Sequence, residues 1–354
     1  MEYLVDTFGE GWLLIGAGAL IGVVFGIAAF HSKFCLRSAT VEVAHGEMGT
    51  SLAIWLVAFT AALASVQISV AAGLMDVQPA RQLSATGSMS GAIIGGLMFG
   101  CGMILARGCV SRLLVLSASG NLRAIVTGLV VTLVAQASLS GVLASMRESL
   151  AAIWTVPGGD TRSILHWLEL SSMATVVGSL VLLGAALLLG HRQKVPLTKL
   201  VAAFFVGFAV FGGWFLTTLV ATSSFEVIAI QSVTFTGPSI DTLMALVGTR
   251  SVPLTFGIGL VLGVFLGAFV GAIWTGQARI QRFEPDVPME RYLLGGSLMG
   301  FGSMLAGGCA VGAGLTGGSI LALTAWVAVF FMWIGALVTQ RTLDALSLRP
   351  ENAS

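Results

Sequence analysis

Long stretches of this chain contain no Asp, Glu, Lys, Arg or His, and they recur along its whole length: residues 12–30, 50–75, 82–106, 124–146, 170–190, 200–225, 251–278 and 292–340. A helix needs about 20 residues to cross the roughly 30 Å hydrocarbon layer of a bilayer. Most of these stretches are that long, and they carry no charge that would hold them in water. Charged residues make up only 9% of the chain, against about 25% in an ordinary soluble domain. The mean hydropathy is +0.97. A chain of this kind lacks the charged shell that would keep it dissolved. The expected fold is an all-α polytopic membrane protein, with membrane lipid as its surroundings.

The same composition removes several functions. The net charge of +1 includes no basic patch, so no nucleic-acid partner is expected. The four cysteines, Cys35, Cys101, Cys109 and Cys309, form no CxxC pair, and His31, His45, His166 and His191 stand apart. No metal site and no cofactor are expected from them. No GxxxxGK[ST] loop is present, so ATP hydrolysis is not expected. Met1–Asp6 carries no Lys or Arg before the first apolar run, which argues against a cleaved signal.

The stretch 292–340 is too long for one helix. It is interrupted at 307–318, GGCAVGAGLTGG, where six of twelve residues are Gly. Residues 292–306 would reach only about 22 Å as a helix. The chain is therefore expected to stop inside the membrane and restart as a full helix near Ser319. Irregular backbone at that depth is tolerated where protein buries it or where it lines a cavity. The segment Ser232-Val233-Thr234-Phe235-Thr236-Gly237-Pro238 reads as a second break of this type, with the hydroxyls of Thr234 and Thr236 open to a ligand. An ordinary turn is the competing reading there.

The chain also repeats itself. Residues 95–109 (GGLMFGCGMILARGC) and 295–309 (GGSLMGFGSMLAGGC) match at eight of fifteen positions with a shift of 200. Five of the matches are Gly, but the shared Leu-Ala-x-Gly-Cys ending is more specific. Duplicated halves with broken helices at a midplane site are common among transporters. Lys and Arg mark cytoplasmic loops. By that rule the loops 191–199 and 279–291 and the tail with Arg341 and Arg349 are cytoplasmic, and the acidic N-terminus is outside. The parity of crossings then inverts the second repeat relative to the first. The expected organisation is repeat one over 1–150, a linker with one transmembrane helix over 151–198, and repeat two over 199–354. Counting spans gives about nine transmembrane helices plus short re-entrant half-helices.

Cys109 and Cys309 are the leading site candidates, at equivalent positions in the two Gly-rich breaks. A buried Cys is often only a small hydrophobe. Here Gly108 and Gly308 beside them would let a ligand approach the backbone, and the helix that follows each would offer free N–H groups and a positive dipole end. Arg107 and Arg112 bracket Cys109 and are read either as anion-facing or as snorkelling to the surface. Cys35 has Phe235 at its shifted position and Cys101 has Phe301, so symmetry supports neither; Cys101 is expected only to pack. No Asp, Glu or His stands beside Cys109 or Cys309 to act as a base, so no catalytic residue is assigned.

These motifs carry a resemblance. FCL at 34–36, GxGMxLARGC ending at Cys109, GFGxxLAGGCAVGxGL at 300–315 and SVTFTGP at 232–238 are similar to the YeeE/YedE family of sulfur-compound transporters, over about residues 20 to 340. The resemblance implies an inner-membrane transporter that takes up thiosulfate or a close analogue. It implies a central path lined by three thiols, which fall on Cys35, Cys109 and Cys309, and it raises Cys35 above what symmetry gives. A small TusA-like sulfur-carrier protein on the cytoplasmic side is the partner it suggests. Ser32-Lys33 and Arg107 depart from residues common in that family. Two alternatives stay open: a transporter of another sulfur or selenium compound, and a membrane-embedded sulfurtransferase working through a Cys persulfide.

Overall fold

The structure, a computed structural model, describes residues 7–224, 226–248, 251–282 and 288–347. Met1–Asp6, Arg349 and residues 283–287 of the loop 279–291 lie outside the described residues. The chain forms α1 Glu10–Ser32, α2 Leu36–Ala44, α3 Thr50–Ala71, α4 Met89–Leu105, α5 Val110–Ala118 and α6 Leu122–Ser140. Next come α7 Ala144–Ala152 and α8 Ser172–Arg192. Then follow α9 Leu197–Thr222, α10 Thr236–Gly248, α11 Phe256–Trp274, α12 Met289–Ala306, a π-helical turn Gly312–Gly317 and α13 Leu323–Ser347. This is an all-α polytopic membrane protein. Among the described residues, eight helical segments are long and apolar enough to cross a membrane: α1 with α2, α3, α4 with α5, α6, α8, α9, α11 and α13. Helix α12, which opens on Met289-Glu290-Arg291, is not one of them.

Hydropathy locates the helices, and capping side chains set where several of them begin. The hydroxyls of Ser88, Ser171 and Thr255 and the amide oxygen of Asn121 accept from N–H groups in the first turns of α4, α8, α11 and α6. In the apolar stretch 82–106 the long helix accordingly begins only at Met89. Before it come a one-turn helix, Arg81–Ser84, and the strand Gly87–Ser88, which pairs antiparallel with Thr155–Val156. The stretch 124–146 likewise ends as a helix at Ser140, and Ala144 opens the separate α7.

Helix starts recur 200 residues apart: Leu36 and Thr236, Met89 and Met289, and, within one residue, Leu122 and Leu323. Contacts recur with them. Helix α1 packs along α11, and α9 along α3; α4 packs on α13, and α12 on α6; α2 touches α13, and α10 touches α6. Two contacts are their own counterparts, α1 with α9 and α4 with α12. At the second of these, glycine lets the backbones meet. A Cβ on Gly95 would lie 2.5 Å from Gly302 O, and one on Gly302 2.8 Å from Gly95 O. A Cβ on Gly295 would lie 2.7 Å from Gly102 O, and one on Gly102 2.6 Å from Gly295 O. In lipid no hydrophobic effect drives two helices together, so close backbone packing of this sort has to hold them.

The two ends of the bundle differ in charge. At one end the Leu122 N–H donates to Gln281 O, His45 pairs with Asp344, and Thr198 shares a cavity with His31. Lys33, Arg37, Arg123, Lys194, Lys199, Arg279, Arg291 and Arg341 belong to this end. At the other end Arg162 holds the loops together: it donates to Ala85 O at 2.6 Å and to Thr324 Oγ1 at 2.5 Å. Asp76, Arg81, Glu148, Asp160 and Glu169 lie there with it.

Candidate functional site

Each of the three candidate cysteines is the residue immediately before a helix. Cys35 precedes α2 and Cys109 precedes α5. Cys309 precedes the helical turn that runs into Gly312–Gly317. The carbonyls of Cys35, Cys109 and Cys309 accept the first intrahelical bonds, from Ala39, Leu113 and Ala313. Their side chains are weak acceptors compared with the Ser or Asp usual at this place. Cys309 Sγ accepts from the Gly312 N–H at 3.5 Å. The sulfurs of Cys35 and Cys109 are turned toward the N–H groups of Ser38 and Arg112 without closing a cap hydrogen bond. The N–H groups of three helix starts are thus only lightly satisfied, and they gather positive potential around three sulfurs.

Cys35 and Cys109 come together: the two thiols are near enough to act on one another, and Cys109 also meets Ser111 Oγ at 3.3 Å. Arg112 lies close enough to act on Cys35 electrostatically, and its Nη1 is buried with no hydrogen-bond partner. No hydrogen bond joins Cys309 to this pair among the described residues. Its neighbourhood is the 232–236 segment instead. A Cβ on Gly312 would lie 3.0 Å from Thr234 Cβ and 3.8 Å from Cys309 Sγ. Thr316 Oγ1 donates to Val233 O at 2.5 Å and ties the two breaks together. Thr236 Oγ1 is buried without a partner, whereas Ser232 Oγ is committed to Val210 O. The three cysteines are 4%, 2% and 1% exposed, so in this conformation the sulfurs are closed off from both sides.

A fourth break completes the pattern. Phe235 stands before α10 as Cys35 stands before α2, and its carbonyl accepts from the Ser239 N–H. Phe235 packs on Phe25 at 5.2 Å between ring centroids, and Phe25 packs on Phe34, beside Cys35, at 6.4 Å. The halves therefore share geometry at these breaks and differ in side chain: sulfur in one, an aromatic ring in the other. Arg107 and Gly307 show the same rule. Both are left-handed, with φ of 56° and 80°. A left-handed Arg costs about 1–2 kcal/mol that Gly avoids. Strain held in that way is a reason to look for a role.

The glycines beside the cysteines are unequal. At Gly108 a Cβ would meet only ordinary contact, 3.5 Å from Leu113 Cδ2, while at Gly308 it would lie 3.0 Å from Ala313 N. Cys101 donates to Gly335 O at 3.6 Å on the α4–α13 contact, away from the breaks, and it packs as the sequence suggested. Arg37, Arg123, Arg291 and Tyr292, none of which the sequence reading singled out for the site, collect at the basic end. A polar residue at a helix end carries no periodic signal, and only the fold shows that these ends meet.

The family described as Sulphur transport matches residues 31–338. A protein named thiosulfate transporter TsuA from Spirochaeta thermophila is 29% identical over 337 residues, covering 91% of this chain and 97% of that protein. One of the same name from Escherichia coli is 24% identical over 345 residues, covering 91% of this chain and 92% of that protein.

Proposed function

This chain belongs to the sulphur-transport family, and on that premise we propose that it takes up thiosulfate, or a closely related sulfur anion, across a bacterial inner membrane. The observation that carries the substrate is the pair of relatives named as thiosulfate transporters, which match nearly all of the chain. In this reading the anion passes Cys309 with Thr234 and Thr236, and then the Cys35–Cys109 pair. Helix N-termini supply the compensating potential. Gly108 and Gly308 expose backbone to the anion, and Arg112 and Arg107 draw it onward. The thiols are weak partners for a soft terminal sulfur. Such binding suits conduction, which needs sites favourable enough to enter and weak enough to leave. A panel of labelled sulfur and selenium anions taken up by proteoliposomes tests the substrate. Uptake of sulfide or selenite in preference to thiosulfate would replace the reading with another of the same class.

We assign the two halves, 1–150 and 199–354, as inverted repeats joined by the 151–198 linker, and the basic end to the cytoplasm. The docking place for a small sulfur-carrier protein would be at that end. Reporter fusions at 191–199 and at 276–279 are expected to report cytoplasm, and one near Asp160 the periplasm. A periplasmic signal at 191–199 would reverse the orientation and remove the inversion argument.

The two breaks should respond differently to added bulk. Gly108→Ala is expected to express as wild type and to lose less uptake than a change at Gly308, because a Cβ there meets only ordinary contact. Gly308→Leu is expected to insert and express but lose uptake, because its side chain must displace the Ala313 backbone of the turn below Cys309. Full uptake by Gly308→Leu, measured at matched expression, would take that turn out of the path.

A further inference from the structure

Four arginines, from α2, α6, α12 and the turn after α4, come near one another at the basic end, just past the cysteine pair. Arg37 is two residues after Cys35 in the first turn of α2, and Arg107 is two residues before Cys109 at the end of α4. Since Cys35 and Cys109 are near neighbours, Arg37 and Arg107 stand on either side of the pair. A Cβ on Gly295 would lie 2.6 Å from Ala106 N, which places the end of α4 one helical turn from Arg291 on α12. Arg123, in the first turn of α6, donates to the Tyr292 hydroxyl at 3.0 Å and stacks over its ring at 4.9 Å from the centroid. Arg37 lies within the electrostatic reach of Arg107, Arg123 and Arg291.

Like charges gathered at partly buried positions are costly unless something opposes them. Arg37 Nε and Arg291 Nε are buried and have no hydrogen-bond partner among the described residues. Of the described acids at this end, Glu42 accepts from Ser51 and Leu52, Asp344 pairs with His45, and Glu47 and Glu290 are exposed, so none of them is seated on the buried Nε of Arg37 or Arg291. Guanidinium forks match tetrahedral oxoanions two bonds at a time, and Arg, unlike Lys, does this in a fixed plane. We propose that Arg37 and Arg291, with Arg107 and Arg123 around them and Tyr292 as the floor, form a second anion site for a divalent tetrahedral sulfur oxoanion. It lies beyond the thiols, and it recognises the oxygen face of the anion where the thiols recognise its sulfur. Its place as the exit station of a path rests on the transport reading; its existence does not.

Inorganic sulfate is the probe, because it carries the oxygen face and lacks the soft sulfur. Sulfate binding to the full chain in lipid nanodiscs is expected to be saturable and to weaken as ionic strength rises. Arg37→Gln with Arg291→Gln should weaken it at least about tenfold. The pair Arg37→Lys with Arg291→Lys keeps the charge and should recover part of that loss. Cys101→Ala, whose thiol meets Gly335 O on the α4–α13 contact, should leave sulfate affinity unchanged. If the Gln pair does not elute as a monodisperse species, each single Gln variant and the Lys pair decide the matter by the same comparison. No saturable sulfate binding, or binding indifferent to every Arg substitution, would overturn the site. So would a cluster that binds only an acidic protein segment. Failure of thiosulfate uptake in vesicles, with sulfate binding still dependent on Arg37 and Arg291, would remove the transport reading and leave this site standing.

Discussion

Cys109→Ala and Cys309→Ala should each cut thiosulfate uptake to below about a tenth of wild type, a change of about 1.4 kcal/mol or more in the limiting barrier. Expression and monodispersity should hold. Deleting one small buried thiol leaves a small cavity, worth roughly 1 kcal/mol, so unfolding is not the expected cause. Cys35→Ala should act like Cys109→Ala, because the two thiols are near neighbours at two adjoining helix starts and on the proposed path act as one station. The double variant Cys35→Ala/Cys109→Ala should then lose little more than either single one, as expected for residues that act as a unit. Cys109→Ala combined with Cys309→Ala removes two separate stations and should be the more severe pair. Serine keeps a donor of similar size without the soft sulfur, so Cys109→Ser and Cys309→Ser should transport weakly. Cys101→Ala is the control: its thiol meets Gly335 O on a helix contact, and uptake should persist. Equal uptake by the Cys109 and Cys101 variants would sink the role of the thiols and move attention to Thr234, Thr236 and the arginines.

The sequence made the membrane class and the places of interruption legible for a physical reason. Charge-free runs have a length set by the bilayer, and Gly-rich backbone inside one of them cannot continue as an ordinary helix. Cys109 and Cys309 could be picked out because a shift of 200 aligns them and the breaks that hold them. Cys35 could not be found that way. Its counterpart is Phe235, and the likeness of the two positions lies in the backbone, which opens a short helix at each, α2 and α10. Helix ends were legible where a Ser, Thr or Asn caps them and were misplaced where apolar loops continue the run, as before Met89. The arginines beyond the thiols escaped notice because Arg37, Arg123 and Arg291 are far apart in the chain, and each alone looks like a surface charge at a helix end.

Gly295→Leu should destroy the fold outright, and Gly102→Leu should do the same. Each replaces hydrogen by a branched side chain where the other helix's backbone already stands 2.6 Å from the nearest Cβ position. A flexible neighbour could turn away, but the obstacles here are Ala106 N, Gly102 O and Gly295 O, which belong to helices held along their whole length. The helices would have to separate, and the same move would pull Gly95 off Gly302 on the reciprocal side of the crossing. Overpacking by a few methylenes costs about 1–3 kcal/mol in a soluble core. In lipid the cost is not offset by any hydrophobic drive to re-close, so it falls directly on the close packing that joins the two halves. The expected result is loss of the monodisperse peak on size exclusion and degradation in the membrane. Gly184→Leu on α8 provides the comparison, because nothing lies within 4 Å of a Cβ there, and it should express and elute as wild type. Monodisperse, thermally normal Gly295→Leu protein would mean that α4 and α12 do not hold the halves together. The other contacts between the halves, above all that of α1 with α11, where glycines also let the backbones approach, would then have to carry that job.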